Sequence, residues 1–321
     1  NINRTFKKCL ITGIAGSGGS YLAEHILKKD KRIKIIGLFR SDKYKKILEK
    51  KHKKRIKFIK VDLNNYLQVK KILKKIRPDL IYNFASDADV RRSFDIPKKI
   101  IQNNYNSTLN ILESIRTCKL KSLLIQCSTS EVYGAVKKKE LPISENQKMR
   151  PVSPYAISKS FQDLSVQMYR DVYKLNTIIT RMFTYMNPRR TNLFQSSFAS
   201  QIAKIEKGKQ KFLYHGNLKS IRSFLDIEDA VEAYWLTAKK GRLGEIYNMG
   251  GTKAFKVGDF LKKLIEISNK KVKCKIDKKL LRKKDVTLQI PSVKKFKKHT
   301  NWTPKVNFEE SLKKLLNEFR K

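Results

Sequence analysis

Three groups of residues in this chain have the types and spacing to do chemistry. Tyr155 and Lys159 stand four apart in Pro154-Tyr155-Ala156-Ile157-Ser158-Lys159, which on a helix puts both on one face. A phenol titrates near pKa ~10 and is a poor base at neutral pH, but a neighbouring ammonium lowers that value. It can then take a hydroxyl proton while hydride leaves the same carbon. The second group, Ser128-Thr129-Ser130-Glu131-Val132-Tyr133-Gly134, places hydroxyls and a carboxylate directly after the apolar run Leu123–Cys127. The third is Gly13, Gly16 and Gly19, spaced G-x-x-G-x-x-G after Cys9-Leu10-Ile11-Thr12. Glycine permits a tight turn, and backbone N–H groups at the start of a following helix favour a pyrophosphate.

These groups need a scaffold, and the apolar pattern describes one. Runs at Cys9–Thr12, Ile33–Phe39, Ile56–Val61, Leu80–Phe84, Leu123–Cys127 and Ile178–Met182 alternate with amphipathic stretches near 20–29, 66–76, 97–117 and 154–173. Strands alternating with helices imply right-handed crossovers and a parallel sheet, and continuous apolar runs suit strands buried on both faces. The expected fold is α/β, a Rossmann-type doubly wound parallel sheet with a smaller C-terminal α/β lobe. After residue 184 the pattern loosens into helices at 194–207, 229–239, 257–268 and 308–319 and strands at 212–214, 246–249 and 272–276. The expected division is a dinucleotide-binding domain at 1–183, with 225–250 adding late elements, and a substrate lobe at 184–224 and 251–321. The glycine loop then joins the first strand to the first helix of a βαβ unit, where a dinucleotide is held. Arg40 ends the second strand, where a carboxylate would hold the ribose of NAD. A guanidinium suits the 2′-phosphate of NADP, so NADP is expected over NAD. Asp62, ending the third strand, either accepts from the adenine amino group or caps the next helix.

The charge admits another class of function. Lys+Arg number 73 against 28 Asp+Glu, a net +45 over 321 residues, and phosphate backbones reward such clustering. The lysines, however, run from end to end between apolar residues at helical spacing, and the densest stretches, 43–57 and 270–284, lack the interleaved aromatics of a strand-binding platform. The charge is read as a solvated surface, with no nucleic acid and no membrane as partner. An apolar share of 40% is too high for a disordered polycation, so a packed core is expected. Four cysteines without a CxxC pair and four histidines without HExxH exclude a disulfide framework and a metal site. No apolar run approaches a membrane span, and residues 1–8 carry no apolar signal core, so the cytoplasm is the expected compartment. The first residue is Asn rather than Met, which leaves a trimmed start open.

Taken together, the motifs resemble the extended short-chain dehydrogenase/reductases and, within them, the GDP-mannose 4,6-dehydratase family. The resemblance runs from about Lys7 to the end of the chain. It is carried by Thr12-Gly13-Ile14 through Gly19-Ser20-Tyr21-Leu22-Ala23-Glu24, by Ser128-Thr129-Ser130-Glu131 and by Ser153-Pro154-Tyr155. Pro188-Arg189-Arg190, Gly216-Asn217-Leu218, Gly244-Glu245-Ile246-Tyr247-Asn248, the segment 285–291 and the closing Trp302-Thr303-Pro304 extend it. It implies a redox-neutral dehydration of GDP-mannose to GDP-4-keto-6-deoxymannose. Tyr155 would remove the O4 proton as the C4 hydride passes to NADP, Glu131 would take the C5 proton as the C6 hydroxyl departs, and the hydride would return to C6. Thr129 would hydrogen-bond O4, Ser130 would assist proton movement near C6, and Lys159 would bind the nicotinamide ribose and tune Tyr155. Thr184, Asn217 and Arg222 would contact the nucleotide-sugar. Arg189 and Arg190 match a segment that reaches a neighbouring subunit's cofactor, which implies a homodimer or homotetramer and places Arg190 among the cofactor contacts.

Some residues depart from the family pattern. Thr184-Tyr185 stands for the usual Asn-His, Ala85-Ser86-Asp87-Ala88-Asp89-Val90 lacks the usual Gln-Ser-His, and Thr191 replaces a glycine. All of these sit where substrate is read. Glu131 permits dehydration without proving it, because reductases and epimerases of the wider family carry the same turn. The alternatives are therefore a GDP-4-keto-6-deoxymannose reductase, a related epimerase, or a cofactor-binding regulator; intact Thr129, Tyr155 and Lys159 oppose the last.

Overall fold

Six apolar runs each form a strand of one parallel sheet: β1 (Lys8–Thr12), β2 (Lys34–Phe39), β3 (Ile56–Lys60), β4 (Leu80–Asn83), β5 (Leu123–Thr129) and β6 (Thr177–Met182). The chain then leaves for β7 (Phe212–His215) and β8 (Ile221–Ser223), returns for β9 (Ile246–Met249), and ends with β10 (Ala254–Lys256), β11 (Lys273–Ile276) and β12 (Leu288–Gln289). The order in the main sheet is β3-β2-β1-β4-β5-β6-β9, all parallel. Strand order reverses between β1 and β4, and a crevice opens beyond the carboxyl ends of strands at such a point. The doubly wound α/β fold is the one expected. The computed structural model describes residues 2–52 and 54–321; Lys53, within the basic 43–57 stretch, lies outside the described residues, as does Asn1.

The helices are α1 (Ser17–Lys29), α2 (Lys45–His52), α3 (Tyr66–Ile76), α4 (Val90–Ser93), α5 (Pro97–Thr117), α6 (Pro154–Tyr173), α7 (Phe194–Glu206), α8 (Ile227–Lys240), α9 (Val257–Glu266), α10 (Lys294–Thr300) and α11 (Phe308–Arg320). Side chains of a strand alternate between faces, and β1 shows what that builds. Cys9 and Ile11 enter a core with Leu22 and Ile26 of α1, Trp235 of α8 and Phe296 of α10. Leu10 points the other way, to Val69 of α3, Ile111 of α5 and Val166 of α6. Each fully buried Ile or Leu contributes about 1.5–3 kcal/mol, which is why the strands read as unbroken apolar runs. A third core, in the lobe, stacks Phe194 and Phe198 of α7 with Phe224, Phe260 and Phe308.

Helices 66–76, 97–117 and 154–173 lie where the periodicity puts them. The differences have local causes. α1 starts at Ser17 rather than 20, because the two glycines of its first turn carry no apolar signal although they are helical. α2 buries only Leu48, and α4, β8, β10 and β12 span two to four residues, so none has a readable period. β5 runs past its apolar residues to Thr129, carrying hydroxyls into the crevice. Among the described residues no helix is long and apolar enough to cross a membrane, and no cluster of three metal-ligating side chains occurs.

Candidate active site

A cleft of about 370 Å³ runs from the glycine turn, past the ends of β5 and β6, into the lobe, a volume in the range of small-molecule sites. Its floor is a buried polar network at the β1/β4 junction. Thr12 donates to Asn83 Oδ1 at 2.7 Å and accepts from the Ala85 N–H at 3.0 Å, while Asn83 Nδ2 donates to Thr108 and Gln126. This fixes the β4 loop against the turn after β1. Gly13 has φ +66°, and a Cβ at Gly19 would stand 2.5 Å from the Gly13 carbonyl oxygen, so side chains would fill the cradle. Gly16 is the N-cap of α1, and neither a side-chain cap nor an acidic residue occupies the first turn. Free N–H groups at a helix start with a glycine-shaped approach fit the pyrophosphate of a dinucleotide.

At the ends of β2 and β3, Arg40 donates to Asn103 Oδ1 at 3.0 Å, and Asn64 bridges Asn103 and Asp62. Asp62 accepts from the Asn64 backbone N–H, which holds its carboxyl below the usual range. The cap of α3 is Asn65, not Asp62, which corrects the capping alternative. Arg189 is likewise committed within its own chain. It donates to Ser20 and Glu24 of α1 and lies 3.9 Å over the Tyr21 ring, while Arg190 donates to the Ala88 carbonyl and lines the cleft.

The reacting groups converge where β5 ends. Thr129 accepts from the Glu131 N–H at 3.3 Å and so caps a single 3-10 turn, Ser130–Tyr133, that carries Ser130 and Glu131 buried against the cleft. Gly134 closes that turn at φ +63°, where a Cβ would strike the Arg150 carbonyl. Across from it Tyr155 and Lys159 lie on one face of α6, both buried. Ser153 and Pro154 start the helix there, the Ser153 hydroxyl accepting from the Ala156 N–H at 3.0 Å. Burial pushes the Tyr155 phenol up to about 12; Arg190 and a hydrogen bond from Thr129 oppose this, and Glu131 adds to it. Lys159 donates to the Cys127 carbonyl at 2.7 Å, and burial brings its ammonium down to about 8.

Glu131 has partners that sequence patterning does not disclose. Arg282 Nη1 and Gln289 Nε2 both donate to its Oε1, at 3.2 and 3.3 Å. Gln289 reaches it because β12 pairs with β8 in parallel, opposite Arg222. Arg222 is buried and spent on its own lobe: it donates to the Val286 and Ile221 carbonyls and lies 3.8 Å from Asp285. Burial takes its guanidinium down to about 10. Asn217 donates to Asp285 at 2.8 Å, and Thr184 lines the cleft, half-buried. The Asp285–Pro291 segment was the available signal for Gln289, but only strand pairing turns it toward Glu131; Arg282 precedes that segment and had no such signal.

A family model for GDP-mannose 4,6 dehydratase matches residues 10–315. The chain belongs to the GDP-mannose 4,6-dehydratase family. The GDP-mannose 4,6 dehydratase of Dictyostelium discoideum is 31% identical over 97% of this chain and 95% of its own length. That of Drosophila melanogaster is 30% identical over 95% and 84%. Among solved structures, UDP-glucuronic acid 4-epimerase from Bacillus cereus, in complex with UDP-glucuronic acid and NAD, matches with a TM-score of 0.85 at 26% identity, covering 98% of this chain and 99% of that one.

Proposed function

We propose that this protein is an NADP-dependent GDP-mannose 4,6-dehydratase, forming GDP-4-keto-6-deoxymannose. The observation that carries the reading is the convergence of Thr129, Glu131 and Tyr155 in the cleft that begins at the glycine turn, in a chain of the dehydratase family. Residues 1–183 with 225–250 hold the dinucleotide, and 184–224 with 251–321 hold the nucleotide-sugar. The glycine cradle and the uncapped start of α1 support a nicotinamide dinucleotide. Arg40 at the end of β2 supports NADP in particular. When bound, the cofactor accepts the C4 hydride and later returns it at C6.

Tyr155 takes the proton from O4 of the hexose, while the Thr129 hydroxyl hydrogen-bonds the same oxygen. Oxidation leaves a C4 ketone, which acidifies C5–H. The Glu131 carboxylate removes that C5 proton and passes it to the departing C6 hydroxyl, so one water leaves; as C6 takes the hydride back, C5 regains a proton drawn from solvent through Glu131, and Tyr155 releases the proton it took from O4. Ser130 stands beside this transfer. A simple reductase abstracts no C5 proton, so the carboxylate beside the tyrosine is the residue the dehydration needs. Lys159, fixed on the Cys127 carbonyl, holds the ribose edge of the nicotinamide side.

Incubation with GDP-, UDP-, CDP- and dTDP-hexoses and catalytic NADP⁺, followed by mass and NMR analysis, tests this. A 4-keto-6-deoxy product from GDP-mannose is expected. No such product, or a stoichiometric need for NADPH, overturns it. We further read the protein as a homodimer or homotetramer, because Phe161, Leu164, Met168 and Val172 of α6 form an exposed apolar row, each 43–60% accessible.

A further inference from the structure

Gln195 is the one residue among those described whose two side-chain amide atoms are both buried and both without a hydrogen-bond partner. It is 1% exposed, sits in the first turn of α7 and lines the cleft. The chain elsewhere satisfies its buried amides with care. Asn83, Asn104, Gln126 and Gln162 all have partners in the polar network under the cleft. The neighbour Ser196 donates to the Asn187 carbonyl at 2.8 Å, so the turn itself is well held. An amide left unpaired inside a protein costs folding free energy, and it is retained where a ligand completes it.

We propose that Gln195 reads the nucleobase of the substrate, donating through Nε2 and accepting through Oε1 along a base edge that offers an acceptor beside an N–H. The lactam edge of guanine has that form, so the inference rests on the nucleotide-sugar reading above and names its specificity residue. The hexose is committed to the other wall, where β5 and α6 carry Thr129, Glu131 and Tyr155. Gln195 comes from the lobe, where Leu193, Phe194, Phe198 and Tyr214 line the cleft together with the polar Asn192 and Ser197. The aromatic and apolar members suit the face of a flat heterocycle. One amide with both functions free selects by edge rather than by charge.

The test uses Gln195→Leu and, as a second variant of similar length, Gln195→Met. Calorimetric titration with GDP, GDP-mannose and UDP is combined with steady-state kinetics and a thermal melt. A two-point contact to a base is worth about 10- to 100-fold in affinity. Both variants are expected to weaken GDP and GDP-mannose by the same factor in that range, with the kinetic loss in KM rather than kcat. Their melting temperature stays level or rises, because the unpaired amide is gone. Unchanged GDP affinity with a raised KM for GDP-mannose assigns the amide to the hexose and overturns the proposal. Unchanged affinity for both makes Gln195 a structural amide and overturns it too. If the wild type prefers UDP and the loss appears on UDP, Gln195 keeps its role and the GDP-mannose reading falls.

Discussion

Replacing Asp163 by Asn will destabilise the protein by several kcal/mol, because it strands a buried guanidinium. Asp163 on α6 meets Arg181 on β6 through two bonds, Oδ2 to Nε at 2.9 Å and Oδ1 to Nη2 at 3.0 Å. The side chains of Arg181 and Asp163 are 3% and 0% exposed. Arg181 also donates to the Tyr133 hydroxyl and the Glu145 carbonyl, and Asp163 accepts from Ser128, so the pair ties α6 to β5 and β6 behind the reacting groups. Asparagine keeps the volume and removes the charge. Breaking a buried pair from one side costs about 3–5 kcal/mol, since the remaining charge has neither solvent nor a counter-charge. With an unfolding entropy of about 2.1 cal/mol/K per residue, a loss of ~4 kcal/mol lowers the melting temperature of a chain this long by roughly 6 °C. Guanidinium titration and scanning calorimetry at neutral pH measure it. The double replacement Asp163→Leu with Arg181→Met recovers much of the loss, because neither partner is then left charged. A single variant within about 1 kcal/mol of wild type refutes this reasoning.

Three further outcomes follow from the site and surface. Tyr155→Phe lowers kcat by about 10²–10⁴ while the affinity for GDP-mannose, by calorimetry, stays near wild type. The Lys159 ammonium, brought by burial to about 8 from an ordinary 10.5, is lost as pH rises through 8, so the alkaline limb of kcat/KM falls there and vanishes in Lys159→Met. In the window between those values the folded chain binds fewer protons than the unfolded chain, so this group's contribution to stability improves with rising pH. If the exposed row on α6 is the proposed subunit interface, Leu164→Glu with Met168→Glu gives monomers by light scattering where the wild type gives a homodimer or homotetramer.

The parallel sheet was legible because strands buried on both faces leave continuous apolar runs, and α6 because its periodicity is long and begins at Ser153-Pro154. The glycine turn, Glu131, Tyr155 and Lys159 were legible for a related reason, since each is a residue type whose chemistry has few substitutes at that place. What stayed hidden depends on strands too short to carry a period. Gln289 reaches Glu131 through the two-residue β12 beside the three-residue β8, and Arg282 reaches it from the loop before β12. The course of the Lys159 side chain also stayed hidden: it shares a helix face with Tyr155, and its ammonium donates to the Cys127 carbonyl. Spacing along a helix reports which side chains are neighbours, not where a long flexible one sends its charge. Among the described residues Lys159 is the one lysine that lines the cleft, and the field of the others can steer an anionic nucleotide-sugar toward it.

In the proposed reaction Glu131 removes the C5 proton after Tyr155 has opened the way by oxidation at C4. The most direct measurement is GDP-mannose with catalytic NADP⁺ in D₂O, wild type beside Glu131→Gln, with the products resolved by NMR and mass. Wild type is expected to yield GDP-4-keto-6-deoxymannose carrying solvent deuterium at C5. Glu131→Gln is expected to keep the substrate's C6 hydroxyl, with no deuterium at C5. A Glu131→Gln protein that forms the deuterated product at the wild-type rate would contradict the account.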